Sequence, residues 1–443
     1  MKDDEPNQKA PRDPRDRPRV AVLVLHGIGQ QAKFETLAAF AAGLAQTAGV
    51  CDVTRTPLLL DDRLESALTL SLPDAEVDLV EYHYQPLMQR QVAMADVTRW
   101  LVETGFHIRR IYRTYRFKAE DPKGARQPRP DADGDFLRLH YMLCQRGDWM
   151  VGILWVLAAL LNALEHLRNV RFTGLLRAPL RAVLGRLVDP VLREVAGDLV
   201  LYTAYDPRLA LSAVRDQVLK GCADRIEGLV RCTSGGRLRY QKVFVAGHSL
   251  GSVVAYDAIS RLAMRADHAL ASGVGGTHTF TPSELERMGG LITFGSPLDK
   301  VALTFWPCGD EQDLRSGQLT TWDRRRIVYR RGLLAHFHGI RGLSHALPLP
   351  EVVRQPATCS LNGLPWLNVH HPEDLIAGHL DAFEGVVNLQ ITPEIKASFA
   401  ASRTAQAHAS YWSDPAMYAW LLGQFGALPP RPVAADTSSA GVA

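Results

Sequence analysis

Residues 243–246 (Val-Phe-Val-Ala) end in Gly247-His248-Ser249-Leu250-Gly251, and residues 252–264 continue with helical periodicity. A buried strand that turns this sharply into a helix is half of a parallel β-α-β unit, and it commits the chain to a largely parallel sheet. Residues 20–25 repeat the pattern. They form a continuous apolar run, as a parallel strand covered on both faces requires. They end in His26-Gly27-Ile28-Gly29-Gln30-Gln31, and residues 34–47 read as a helix. Further strand candidates are 77–84, 291–294, 366–369 and 386–391. The predicted class is α/β, with a mostly parallel sheet flanked by helices. A chain of 443 residues has room for two or three domains, or for one large α/β domain carrying insertions. Hydrophobic residues at 47% and charged residues at 22% exclude global disorder.

Two connections are too long for simple crossovers. Residues 85–241 contain a charged, Pro/Gly-rich stretch at 118–135, an apolar segment at 149–164, and amphipathic helices. Residues 300–365 form the second. Insertions at the carboxyl ends of strands build caps over a site, so both are expected to be helical caps. The remaining parts are a solvated arm (1–19), core (20–84, 242–299 and 366–427) and a disordered tail (428–443).

Charge excludes one class of partner. Fifty basic against 47 acidic side chains leave a net charge of +3, too even for a dedicated nucleic-acid binder. The six Cys form no C-x-x-C pair and suit a reducing compartment. The first nineteen residues are charged and Pro-rich, with no apolar stretch, so no secretory signal is expected and the location is read as cytoplasmic.

Chemistry concentrates at the two Gly-rich turns. G-x-S-x-G on a sharp strand-to-helix turn projects the Ser249 hydroxyl above the sheet. The helix that follows aims the Leu250 N–H and a partial positive charge at a developing oxyanion. The loop after the first strand offers the Ile28 N–H as a second donor. A nucleophile of this kind is served by an acid and then a His later in the chain. Asp374, after the 366–369 strand, is the leading acid, with Glu373 and Asp299 as competitors. His408, past the last strand candidate, is the leading base. His379 lies too close to Asp374 to return over Ser249, and His370 and His371 fit only if Asp299 is the acid. His336 and His338 have no third ligand at a recognisable spacing, so no metal site is expected.

These motifs resemble the α/β-hydrolase superfamily, and within it the lipase-like branch. Class 3-type lipases carry G-H-S-L-G, then T-F-G-S-P at a strand end, then N-x-x-D-x-[IV], then a His shortly before Tyr-Trp. The chain has G-H-S-L-G at Gly247, T-F-G-S-P at Thr293, N-V-H-H-P-E-D-L-I from Asn368 and H-A-S-Y-W from His408. The H-G-I-G-Q-Q turn is also similar to that of bacterial hydrolases related to the GPI inositol-deacylase group. The resemblance implies an α/β-hydrolase fold with Ser249 as nucleophile, Asp374 as acid and His408 as base.

The expected activity is hydrolysis of small-molecule or lipid carboxylic esters through an acyl-enzyme, a reaction that calls for no metal or organic cofactor. Two other readings stay open: a non-catalytic binding protein on the same fold, and a phospholipase acting on membranes as a toxin or effector. Segment 149–164, bounded by Asp148 and Glu165 and containing Asn162, is shorter than the roughly 20 residues a spanning helix needs. Residues 166–188 carry Arg168, Arg171, Arg177, Arg181 and Arg186 and no acid, which suits peripheral contact with a membrane. The alternative is a helix buried in the cap. The Arg324, Arg325, Arg326, Arg330 and Arg331 cluster reads as a solvated face or as a contact for anionic head groups.

Overall fold

The computed structural model describes residues 17–27, 32–60, 63–88, 210–272, 279–298, 363–374, 376–380, 383, 385–397 and 400–429. The apolar segment 149–164, the Arg-rich stretch 166–188, the Arg cluster 324–331, most of both expected caps, and nearly all of the arm and tail lie outside them. Among the described residues no helix is long and apolar enough to cross a membrane.

The chain is α/β, with a mostly parallel central sheet between helices. Its strands are β1 (Arg19–Leu25), β2 (Val53–Leu60), β3 (Arg63–Ser71), β4 (Glu76–Tyr82), β7 (Lys242–His248), β8 (Met288–Phe294), β9 (Trp366–His370) and β10 (Val386–Gln390). A small separate hairpin pairs β5 (Thr233–Ser234) with β6 (Arg237–Leu238). The sheet order is β10-β9-β8-β7-β1-β4-β3-β2. Within this sheet every pairing is parallel except β3 with β4 and β2 with β3.

β1 shows why the strands read as unbroken apolar runs. Residues 20–25 are fully buried. Val20, Val22 and Val24 face a core shared with Leu37, Phe40 and Leu44 of α1 (Glu35–Ala48) and with Met417, Leu421 and Phe425 of α7 (Pro415–Gly426). Ala21, Leu23 and Leu25 face a second core, with Val218 and Ile226 of α3 (Ala210–Arg231) and Val253 and Val254 of α4 (Leu250–Ser272). Period-two alternation therefore buries both faces. The shorter helices are α2 (Gln85–Met88), α5 (Pro282–Leu285) and α6 (Ala400–Ala409).

Two features differ from the sequence expectation. The β2–β3 hairpin is a pair of strands that apolar runs did not reveal. It sits at the sheet edge with Leu59 and Leu64 exposed, and it is held by polar cross-strand contacts such as Thr69 Oγ1 to Thr56 Oγ1 at 2.8 Å. Helix α3 lies within the stretch read as an insertion, yet Val218, Leu219, Cys222 and Ile226 are buried in the core beside β7 and α4.

Topology marks a switch point. From β1 the chain leaves towards β4, and from the adjacent β7 it leaves towards β8 on the other side. Connections diverge between β1 and β7, and ligands bind beyond the carboxyl ends of strands at such a switch point. The loops at that point begin at His26 and at Gly247.

The sheet also buries a charge. Asp78 of β4 is fully buried and accepts from Arg19 (3.2 Å), Arg239 (2.9 Å), Tyr240 Oη (2.8 Å) and Thr69 Oγ1 (2.7 Å). Burial alone would raise its pKa. The hydrogen bonds and the Arg19 charge outweigh it and hold the carboxyl below its usual range. Asp78→Ala leaves two guanidinium groups short of their partner, and an expected loss of about 3 kcal/mol should appear in urea unfolding at pH 7. Because the folded pKa is depressed, the wild-type advantage is complete above the ordinary carboxylate pKa near 4. It shrinks as pH falls below that value.

Candidate functional site

The strand-to-helix turn is tight because both flanking glycines are pressed against backbone. A Cβ on Gly247 would lie 2.6 Å from the Gly251 carbonyl oxygen and from Ser252 Cα. One on Gly251 would lie 2.3 Å from the His26 carbonyl oxygen. Between them Ser249 adopts φ +52°, a left-handed conformation that side-chain-bearing residues seldom hold. Its N–H donates to the Phe294 carbonyl at 3.0 Å, and its own carbonyl accepts from Ser252 N–H at 3.0 Å. The Ser249 Oγ is buried and finds no hydrogen-bond partner among the described residues. Leu250 opens α4, so its N–H belongs to the first turn, where helices leave donors without internal partners.

The β1 loop abuts this turn. A Cβ on Gly27 would lie 2.9 Å from Ser249 Cβ and 2.8 Å from His248 Nδ1. His26 is fixed by four contacts. Its Nδ1–H donates to the Gly27 carbonyl at 2.7 Å and its Nε2 accepts from Tyr84 N–H at 3.2 Å. Tyr84 Oη donates to the His26 carbonyl at 2.9 Å, and the two rings stack at 4.1 Å. Burial is the main reason its pKa falls to about 4, so the ring is neutral. Ile28 lies outside the described residues.

Asp374 follows β9 and is 2% exposed. Its Oδ2 accepts from His408 Nδ1 at 2.8 Å and from Tyr411 Oη at 2.8 Å, while Oδ1 accepts from Ile376 N–H at 2.9 Å. Burial pushes the carboxyl up. The bonds from His408, Tyr411 and Ile376 overcome it and hold Asp374 below the usual range. Tyr411 in turn accepts from His371 N–H at 3.0 Å, and its phenol is pushed well above its ordinary pKa by burial and the adjacent carboxylate. His408 ends α6 and presents a ring that is mostly covered.

Gly295 joins the two halves. With φ +60°, its missing Cβ would lie 3.0 Å from Tyr411 Cε2, 3.1 Å from His408 Cε1 and 3.2 Å from His248 Cδ2. The His408 ring thus sits against the residue that follows Phe294, whose carbonyl holds Ser249. Ser249 with Leu250, Asp374 and His408 come from three chain segments and are gathered at the carboxyl ends of β7, β8 and β9.

The competitors lie elsewhere. Glu373 pairs with Arg403. His371 accepts from Glu373 N–H and donates to the Pro393 carbonyl at 3.3 Å. His379 packs against His370, ring centroids 5.3 Å apart. Asp299, His336 and His338 fall outside the described residues. Among the described residues no three His, Cys, Asp or Glu side chains converge as metal ligands.

Three contributors went unnamed in the sequence reading: Tyr411 and the rings of His26 and His248. Only Tyr411 leaves a signal, its position three residues after His408, one helical turn away. Comparison with protein-family models, with curated proteins and with solved structures found no match.

With one donor removed, Tyr411→Phe should raise the Asp374 pKa toward the ordinary carboxylate range. A carboxyl-carbon NMR titration checks this. An unshifted titration would mean that the phenol bond contributes nothing to the carboxylate.

Proposed function

We propose that this chain is a serine hydrolase of carboxylic esters, built on an α/β-hydrolase fold. The observation that carries the proposal is the 2.8 Å bond from His408 Nδ1 to a buried, ionised Asp374, beside a left-handed Ser249. A His that donates through Nδ1 to a carboxylate keeps Nε2 unprotonated and able to take a proton.

In this mechanism His408 Nε2 removes the Ser249 hydroxyl proton as Oγ attacks the ester carbonyl. Asp374 stabilises the imidazolium that forms. The Leu250 N–H, with Ile28 N–H as the second proposed donor, receives the oxyanion. The proton passes to the departing alcohol, and water, deprotonated by His408, then cleaves the acyl-enzyme and restores Ser249. Nucleophile, base, acid and donors are all protein groups, so the step needs no cofactor. Catalytic hydrogen bonds are often long in unliganded sites, and a Ser249 Oγ without a partner among the described residues fits a bond that tightens around substrate.

A small-molecule or lipid ester is the proposed substrate. Wild-type protein should hydrolyse short acyl esters and take a fluorophosphonate label on Ser249. Ser249→Ala should lose the label and lower kcat by about 10⁵–10⁶. Folded wild-type protein that neither labels nor hydrolyses esters would favour a binding protein instead. A chain-length profile with and without a lipid surface separates lipase from esterase, since preference for short soluble esters excludes the former.

A further inference from the structure

We propose that His248 is a positioning residue for the base: its Nε2–H holds the backbone carbonyl of His408, tying the helix end that carries the base to the turn that carries the nucleophile. The inference rests on the serine-hydrolase reading.

The geometry starts from the strand. His248 is the last residue of β7, directly before Ser249, and its ring is 5% exposed. It packs against His408, Trp412 and Phe294, with centroids 4.8, 5.0 and 5.2 Å away. Its Nε2 lies 3.1 Å from the His408 carbonyl oxygen. A carbonyl only accepts, so the proton is on Nε2 and Nδ1 keeps a lone pair. Nδ1 is turned to Gly27 and finds no partner among the described residues.

That lone pair is informative. No described residue rewards that lone pair, and a phenyl ring in the same cage would avoid the desolvation cost of burying it. What the imidazole offers in return is one donor, and that donor is spent on His408. The receiving carbonyl sits in the last turn of α6, where helices leave acceptors unfilled. His248 fills one of them.

Charge is consistent with a purely positional role. Burial first, and then the neighbouring His408, push the His248 pKa down to about 3. Of the groups that face it, His408 and His26 oppose a positive charge there and Asp374 favours one. The ring therefore stays neutral, in one tautomer, while His408 gains and loses its proton. Ser249 and His408 are far apart in the chain, and this bond links their segments directly. An error of about 1 Å in the placement of a base can cost about 100-fold in rate.

The test measures fluorophosphonate labelling rate, and kcat and KM on a short acyl ester, for wild type, His248→Phe, His248→Gln and His248→Asn. His248→Phe keeps the ring and removes the donor. Its labelling rate and kcat should fall by about 10- to 100-fold, with KM within about twofold. Gln places an amide N–H near the Nε2 position and should recover most of the rate. Asn is too short to reach and should not. A folded His248→Phe that labels as fast as wild type overturns the proposal, as does Gln performing no better than Asn. Should His248→Phe fail to fold, the Gln and Asn pair decides alone. If wild type itself takes no label, the serine-hydrolase reading fails and this inference falls with it, an outcome separate from a labelled wild type matched by its variants.

Discussion

Gly251 has no room for a side chain, because the His26 carbonyl occupies the place where a Cβ would go. This close approach of the β1 loop to the first turn of α4 is the constraint from which the site follows. It requires β1 and β7 to be neighbours, and their parallel register sets Leu25 level with Gly247. The next pairings carry the level across the sheet, His248 to Phe294 and Phe294 to Val369. Strands that stop on one line deliver their following residues to one place. Ser249 is held left-handed there, a strain of about 1–3 kcal/mol that persists because bonds to Phe294 and Ser252 and a buried helix over-determine the turn.

A second constraint is electrostatic. Asp374 is almost fully covered, and a buried carboxylate without partners would protonate. It stays ionised because its two oxygens accept from an imidazole, a phenol and a backbone N–H. Hydrogen bonds to a charged group are worth about 1.5–3 kcal/mol each, and three of them match a desolvation penalty of several kcal/mol. Tyr411 matters for more than the bond it donates. Its oxygen also accepts the His371 N–H, so one phenol fastens the loop after β9 to the segment after α6. Asp374 and His408 are thereby held in register by a residue that has no chemical role in the proposed mechanism.

The parts legible in the sequence are those where one physical demand dominates. β1, β7 and β8 are covered on both faces and are almost wholly apolar, and Leu23 or Ile292 could hardly be anything else. The glycines around Ser249 announce a turn that only small residues permit. β2 was opaque for the opposite reason. Edge pairing leaves one face wet, so Thr54, Arg55 and Pro57 are tolerated and the apolar run shrinks to Leu58, Leu59 and Leu60 at one end. Nothing in the sequence of helix α3 marks where the insertion ends and core resumes. Contact with β7 and α4 decides that, and such contact is invisible to local pattern. His26 and His248 were likewise unreadable as side chains. Their roles depend on partners as distant as Tyr84 and His408.

Those two histidines show how environment divides labour among identical side chains. His26, His248 and His408 all lie around Ser249. His26 has both ring nitrogens engaged, one on the Gly27 carbonyl and one on the Tyr84 N–H. His248 donates its N–H to a carbonyl and turns its lone pair toward Gly27. Burial keeps both neutral, and neither hydrogen-bonds a carboxylate among the described residues. His408 differs in one respect, the Asp374 oxygen on its Nδ1. That single contact orients the ring, directs its free lone pair through Nε2 and supplies a counter-charge for a proton arriving there. The general base proposed here needs all three of these properties, and among the described imidazoles around Ser249 His408 is the one given them by its surroundings.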